Sequence, residues 1–343
     1  MTKAFTFGKF YPFHTGHEAM IAFALSTCNF LSVLICSSDK EQIPGAVRKR
    51  WIEESFKDVP NSKLEVLVFD YEEALLPNTS ESSSTVSEIW SVIFKEKFPD
   101  VSLLITSEPY GALVAGFMNI SFLDYDVTKE IHAVSSTLIR SKPADYWSFL
   151  PDGVKQDLIV KVVLLGTEST GKTTLTKNLA AHYNCSYVLE AARELIADSR
   201  KFDFEELALV ANEHARRIAS AAKGSSPLLI IDTDIHITKS YAKFMFDRPM
   251  ELDDSIYAFN KADLYLYFDK DTPYVQDGTR LNEPERNALD LSHRKLLKEH
   301  TIEYRELCGN WEERFIQSVR YIDQLLEGDW MKRLYRKYGS GTE

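Results

Sequence analysis

The sequence predicts an α/β protein of two domains, each built on a doubly wound parallel sheet. Short β-rich runs alternate with amphipathic helical stretches along two successive series, the pattern of repeated strand–helix–strand units. Each series opens on a strand that ends in a glycine-containing loop and passes into a helix. Between the series, the turn Pro151-Asp152-Gly153 forms a natural seam. Domains are therefore expected over residues 1–150 and 151–343.

In the first series, strands are expected at residues 4–9, 30–37, 64–69, 101–106 and 120–123. Helices are expected at 16–28, 47–57, 85–97 and 136–141. The stretch 77–84 is polar and turn-rich, so it reads as a surface loop near the strand ends. The second series places strands at 159–165, 186–189, 228–232, 264–268 and 302–305, with helices between them. The longest of these helices run over 204–223 and 283–299. The glycine-containing end, 339–343, is expected to fray.

Composition narrows the class. At 343 residues the chain can bury two cores, and its 44% hydrophobic and 27% charged content is that of a soluble globular protein. No apolar run reaches the roughly 18 residues of a membrane span, and the first strand begins too early for a signal peptide. The cysteines, Cys28, Cys36, Cys185 and Cys308, form no CxxC pair; reduced thiols and a cytoplasmic location are expected. With 40 basic against 51 acidic residues, the net charge of −11 disfavours a duplex-binding surface. It does not disfavour nucleotides, which local amides and a few cations can hold.

The first glycine loop reads Gly8-Lys9-Phe10-Tyr11-Pro12-Phe13-His14-Thr15-Gly16-His17. Gly8 at a strand end permits close backbone approach, and the following helix start offers free N–H groups and a positive dipole end. His14 and His17 can donate hydrogen bonds to a triphosphate without a permanent charge. Two histidines so spaced also suit metal ligation or a plain surface. A second string, Val134-Ser135-Ser136-Thr137-Leu138-Ile139-Arg140, puts hydroxyls at a helix start and a cation one turn on, which suits a polyphosphate or merely caps a helix. Its form resembles the C-terminal signature of nicotinamide-nucleotide adenylyltransferases.

The second loop is a full Walker A motif, with Gly166, Thr167, Glu168, Ser169, Thr170, Gly171, Lys172, Thr173 and then Thr174 following an apolar strand. Its amides cradle phosphates, Lys172 pairs with their charge, and the Thr173 hydroxyl can ligate Mg²⁺. The strand Leu228–Asp232 looks like a Walker B strand, so Asp232 could hold the metal or its water; the plainer reading makes Asp232 or Asp234 a helix cap. Residues 272–286 read as a lid, with Arg280 and Arg286 either closing over phosphates or solvated at the surface.

Both halves, in this order, resemble the bifunctional NadR-type proteins of NAD salvage. These join a nicotinamide mononucleotide (NMN) adenylyltransferase to a ribosylnicotinamide kinase. The matching strings are residues 8–17, Arg48-Lys49-Arg50-Trp51, Thr106-Ser107-Glu108, 134–140 and Tyr146-Trp147-Ser148-Phe149-Leu150-Pro151. In the second half they are 166–173, Glu190-Ala191-Ala192-Arg193-Glu194, Asp232-Thr233-Asp234 and 271–280. The similarity runs from residue 4 to about 326.

The resemblance implies a Rossmann-like nucleotidyltransferase followed by a P-loop kinase, with Mg²⁺ accompanying ATP as co-substrate. Its small-molecule partners would be ATP, ribosylnicotinamide, NMN and NAD. In the first domain it implies phosphate handling by His14, His17 and Arg140, with Gly8, Lys9, Phe10, Arg48, Thr106, Ser107, Ser135, Ser136 and Thr137 around ATP and NMN. In the second it implies Lys172 and Thr173 at phosphate and metal, and Glu190 or Asp232 as proton acceptor or metal-water ligand. Arg193, Asp234, Tyr274 and Asp277 would contact the riboside. Three departures stand out. The chain starts at the first catalytic strand, without the helix-turn-helix domain of repressor relatives, so neither nucleic acid nor membrane is an expected partner. Tyr274 replaces a common Trp. The Ser-rich loop before Trp90 lacks the usual Pro-Gly-Trp content, leaving Trp90 as the candidate to stack on nicotinamide. A nucleotide sensor without full turnover, or a fusion serving another coenzyme, are the rival readings; self-association is left open.

Overall fold

A computed structural model describes residues 1–78, 82–196, 201–271 and 281–327. The chain divides into two compact units that part between Val154 and Lys155. That point falls within the helix Asp152–Leu158, where Asp152 and Gly153 are helical rather than part of the expected turn.

The first unit runs β1 (Lys3–Gly8), α1 (Thr15–Thr27), β2 (Phe30–Ser38), α2 (Gly45–Ser55), β3 (Leu64–Tyr71), α3 (Ser84–Lys97) and β4 (Leu103–Thr106). It continues through α4 (Gly111–Met118), β5 (Ser121–Asp124), α5 (Ser136–Ser141), α6 (Pro143–Tyr146) and a short 3₁₀ turn at Trp147–Phe149. Its five strands are parallel in the order β3-β2-β1-β4-β5. The chain therefore builds outward from β1 in one direction, then returns to build in the other. On one face, Phe5 and Phe7 of β1 meet Phe94 of α3 and Phe98 just beyond it, with ring centroids 4.6–5.4 Å apart. Such tilted and edge-on pairs add to the burial of large apolar area that holds helix to sheet.

The helix α7 (Asp152–Leu158) leads to β6 (Val160–Leu165), α8 (Lys172–His182), β7 (Ser186–Val188), α9 (Ala192–Leu195) and α10 (Phe204–Ala221). Then follow β8 (Leu228–Asp232), α11 (Ile235–Phe246), α12 (Asp254–Asn260), β9 (Leu264–Phe268), α13 (Glu283–Glu299), β10 (Arg305–Leu307) and α14 (Trp311–Glu327). The second sheet is also parallel, ordered β10-β9-β6-β8-β7. All six residues of its central β6 are buried, as expected for a strand covered on both faces. Capping boxes at Asp203/Glu206 and Asn282/Glu285 start α10 and α13 and satisfy helix N–H groups that would otherwise lack partners.

The expected α/β architecture is present in both halves. Among the details that differ from the sequence reading, two have a local cause. The last strand begins at Arg305 rather than 302, because Thr301 turns left-handed (φ 57°) and the Ile302 N–H returns to the Leu297 carbonyl to close α13. Helix α4 was not expected, since Gly111 and Gly116 weaken its helical signal. Gly111 is there for space: a Cβ would lie 2.4 Å from Thr106 Cγ2.

Candidate active sites

The first site lies at the carboxyl ends of β1 and β4, where the strand order reverses, the usual ligand crevice of an open α/β sheet. A cavity of about 720 Å³ opens there. Gly8, Lys9 and Phe10 line it from the end of β1, and His14 and His17 from the start of α1. Thr106 and Ser107 approach from β4, Trp90 from α3, and Ser135, Ser136, Thr137 and Arg140 from α5 and its cap.

His14 is the N-cap of α1 but makes no side-chain capping bond. Its ring stacks on His17 with centroids 3.7 Å apart. Gly16 makes this possible, since a Cβ there would sit 3.1 Å from His14 Cε1 and Nδ1. Burial, then the charges of Lys129 and His132, bring the His14 imidazole down to about 3. Burial and His14 itself hold His17 well below the ordinary imidazole range. Both rings are therefore neutral at pH 7, and the Nδ1 of each is buried without a partner. Two neutral imidazoles beside a helix start with free N–H groups make a donor surface for an anion.

The loop carrying the histidines is latched to α5. Ser136 Oγ donates to the Pro12 carbonyl at 3.0 Å, and Arg140 donates to the Tyr11 carbonyl and to Thr137 Oγ1. Ser135 caps α5 by accepting from the Leu138 N–H. The capping and the phosphate readings of this string are thus compatible. Trp90 donates its indole N–H to the Pro77 carbonyl, stands edge-on to Tyr71 and lines the cavity.

Arg48 requires a correction. It is fully buried and absent from the cavity lining. Its guanidinium pairs with Glu41 at 2.7 Å and donates to the Lys9 carbonyl and to Ser37 Oγ. It braces the floor of the loop, where an unpaired buried charge would be costly, rather than presenting a cation to phosphate. Conversely, Lys129 lines the cavity and was not anticipated. It sits in the segment after β5, held at φ 59° by a turn in which Asp126 accepts from the Ile131 and His132 N–H groups. Its only signal in sequence is a lysine following a strand on the ligand side of the sheet.

The second site forms where β6 meets α8. Gly166 and Gly171 take φ of 136° and 94°, and a Cβ on Gly171 would lie 2.0 Å from Trp311. Lys172 is buried, its Nζ donating to the Gly166 and Thr167 carbonyls at 2.8 and 2.9 Å. Thr173 Oγ1 donates to Asp232 Oδ2 at 2.5 Å, while Asp232 Oδ1 is buried without a partner. Thr170 Oγ1 closes the loop on the Thr167 carbonyl, Ser169 is left-handed at φ 60°, and Thr174 is exposed in the first turn of α8. Arg314 of α14, which the sequence reading missed, supports the loop from below through the Thr170 and Asp269 carbonyls and Asp271.

Glu190 follows β7, half-buried, with desolvation raising its carboxyl above the usual range and Lys172 opposing this. Arg193 lies 3.5 Å from it and is half exposed. Tyr241, also unanticipated, donates to Glu168 Oε1 at 3.1 Å. Asp234, fully buried, caps α11 through the His236 and Ile237 N–H groups and pairs with His236 Nδ1 at 2.6 Å, so the helix-cap reading holds for it. Arg286 is also buried, in the first turn of α13 and 3.5 Å from the Lys270 carbonyl; it is not a solvated surface arginine. Tyr274, Asp277 and Arg280 lie outside the described residues.

The family model of the AAA domain matches residues 161–314. The Salmonella typhimurium (strain LT2) protein "Trifunctional NAD biosynthesis/regulator protein NadR" is 26% identical over 345 residues, covering 93% of this chain and 82% of the relative. Its namesake from Escherichia coli (strain K12) is also 26% identical, covering 95% and 83%. The chain is NadR-like along nearly its whole length. In fold it is similar to a crystal structure of NadR protein in complex with NR (TM-score 0.66, 20% identity), of which 95% is covered by 94% of this chain. A NadR structure with NAD and AMP-PNP gives TM-score 0.65 at 19% identity, with the same coverage. The NadR-like span includes both phosphate motifs, so the similarity bears on each unit.

Proposed function

We propose that the NadR-like chain is a bifunctional NAD salvage enzyme. The observation that carries this is the presence in one chain of two complete phosphate sites of different kinds. The P-loop unit would transfer the γ-phosphate of ATP to the 5′-hydroxyl of ribosylnicotinamide, giving NMN and ADP. The first unit would let the NMN phosphate attack the α-phosphorus of a second ATP, forming NAD⁺ and releasing pyrophosphate. Catalysis then rests on positioning and charge stabilisation rather than on a covalent intermediate.

In the first unit, His14 and His17 donate to the triphosphate as neutral groups, and Lys129 and Arg140 supply the positive charge around the leaving pyrophosphate. Trp90 and Tyr110, both lining the cavity, offer ring surface to the nicotinamide. In the second unit, Lys172 exchanges its loop carbonyls for phosphate oxygens. Thr173 and Asp232 form a hard-oxygen donor set, with Asp232 Oδ1 unpartnered, that fits Mg²⁺; the ion would neutralise charge on the transferring phosphoryl group. With Asp232 tied to Thr173, Glu190 is the acid better placed to take the hydroxyl proton. Its raised carboxyl brings it nearer the working pH of a general base.

A cytoplasmic protein acting on small molecules fits this reading: among the described residues no helix is long and apolar enough to cross a membrane, and the net charge of −11 argues against duplex binding. Incubation with ribosylnicotinamide and Mg-ATP, followed by mass spectrometry, should show NMN and then NAD⁺. Preferential turnover of another nucleoside would assign a different coenzyme. Tight nucleotide binding with no turnover would make the chain a sensor.

A further inference from the structure

In the second unit, a buried imidazole on α13 takes no part in the steps above. His293, on α13, is fully buried, and neither ring nitrogen has a hydrogen-bond partner. Native proteins rarely leave both nitrogens of a buried imidazole unsatisfied, because each costs about 1–3 kcal/mol in lost hydration. The ring lies 5.5 Å from that of Tyr241, whose hydroxyl holds Glu168 of the loop. Burial, and then the charge of Lys172, bring the imidazole down to about 3, with Asp290 opposing. His293 is thus a neutral ring, able to donate through one nitrogen and accept through the other.

Other groups of the second unit indicate what it would meet. Glu168 Oε2 and Asp232 Oδ1 are also buried without partners, and Glu190 senses Lys172, Asp232 and Glu168 together. Carboxylates repel phosphate oxygens but accept from hydroxyls. A neutral imidazole, a phenol and carboxylates are a set for reading a polyol, whereas the loop amides and Lys172 serve the phosphates.

We propose that His293, supported by Tyr241, hydrogen-bonds a hydroxyl of the phosphate-accepting sugar in the second unit. This rests on the kinase reading above and adds to it a binding residue that no sequence motif marks. The ligand would complete the unsatisfied nitrogens, so selection of the acceptor would depend on a group that destabilises the ligand-free fold.

That trade supplies the test. His293→Phe keeps an aromatic volume and removes both unsatisfied nitrogens; His293→Gln keeps a donor and an acceptor. Kinase kinetics would be measured for both against the wild-type chain, using whichever nucleoside the wild type phosphorylates best, together with melting temperatures. The expected result for His293→Phe is a fall of tenfold or more in kcat/KM for the nucleoside, with KM for ATP within twofold and a melting temperature equal or higher. His293→Gln should recover part of the loss. If His293→Phe retains kcat/KM for the nucleoside within twofold, the ring only fills the core and the proposal fails. If the phenylalanine variant does not fold, His293→Gln decides. A nucleoside-induced melting shift of at least half the wild-type value supports the proposal, and none contradicts it. Preference for a nucleoside other than ribosylnicotinamide would overturn the substrate assignment alone, and a wild type that phosphorylates no nucleoside would overturn both.

Discussion

In the proposed reading the two sites meet the same problem, holding a triphosphate, with opposite materials. The first unit presents an open cavity whose central donors are two stacked histidines that burial keeps neutral. The second presents a permanent cation, Lys172, folded onto the carbonyls of its own loop, beside a buried Thr173–Asp232 pair. In the first, selectivity for an anion comes from N–H geometry and from cations at the rim. In the second it comes from a charge already inside, which must change partners when the ligand arrives. The lesson is that a helix start after a parallel strand supplies the common part, the free N–H groups; side chains decide how much charge is buried before binding.

The largest expected effect on stability tests whether the first site really relies on a braced floor. Arg48→Met removes the buried partner of Glu41 and leaves it only Lys9 and the Ser38 N–H, so the first unit should lose about 3 kcal/mol, the low end of the cost of breaking a buried ion pair, measured by denaturant unfolding. A change under about 1 kcal/mol would show that Arg48 is not structural and return it to the list of phosphate ligands.

A backbone change should then strike only the second site. Gly171→Ala introduces a Cβ against Trp311 at a positive φ, a strain of about 1–3 kcal/mol at the residue that caps α8. Riboside phosphorylation should fall by tenfold or more while NAD⁺ formation from NMN stays normal. Equal losses in both activities would erase the contrast between the sites.

The neutral histidines predict a pH signature of moderate size. His14 ionises near 3 when folded and near 6.5 when unfolded. Between those values the unfolded chain binds the extra proton, so the stability present above about 6.5 is lost as pH falls toward 3. His14→Gln should therefore flatten the decline of melting temperature between pH 7 and pH 4. An unchanged slope would mean that His14 is not held neutral by the fold.

The smallest effect concerns Asp234. As a helix cap it should cost about 1 kcal/mol on replacement by Ala, and Asp234→Asn should cost less, because asparagine also caps. Both variants should leave the riboside KM near normal. A rise of tenfold in that KM for Asp234→Asn would restore the riboside-binding role.

How much of this was legible in the sequence depended on how local the signal is. The Walker loop and the His14–His17 segment announce themselves because glycine, donor and helix start lie within a few consecutive residues. The ends of β8, β9, α5 and α13 follow from apolar runs and capping residues, whereas the strand order has no such local signal. Arg48 misled because a cation in a family-like string says nothing about the Glu41 that neutralises it, seven residues away. Asp232 and Asp234 could not be told apart by type; backbone position decides, one closing a strand beside Thr173 and the other opening α11. Lys129, Tyr241, His293 and Arg314 reach their sites only through tertiary folding, and no spacing marks them.

Whether two independent sites act in sequence is tested most directly by trapping the intermediate. Ribosylnicotinamide and Mg-ATP would be given to the wild-type chain, to His17→Ala and to Lys172→Ala, and the products followed by mass spectrometry. The wild type should yield NAD⁺ by way of NMN. His17→Ala should accumulate NMN, with NAD⁺ formation slowed on the order of a hundredfold, the loss of roughly 3 kcal/mol of transition-state stabilisation. Lys172→Ala should form almost no NMN from the riboside, yet convert added NMN to NAD⁺ at the normal rate. If both variants remain folded by circular dichroism and each loses both conversions, the sites are not independent and the two-site reading is wrong.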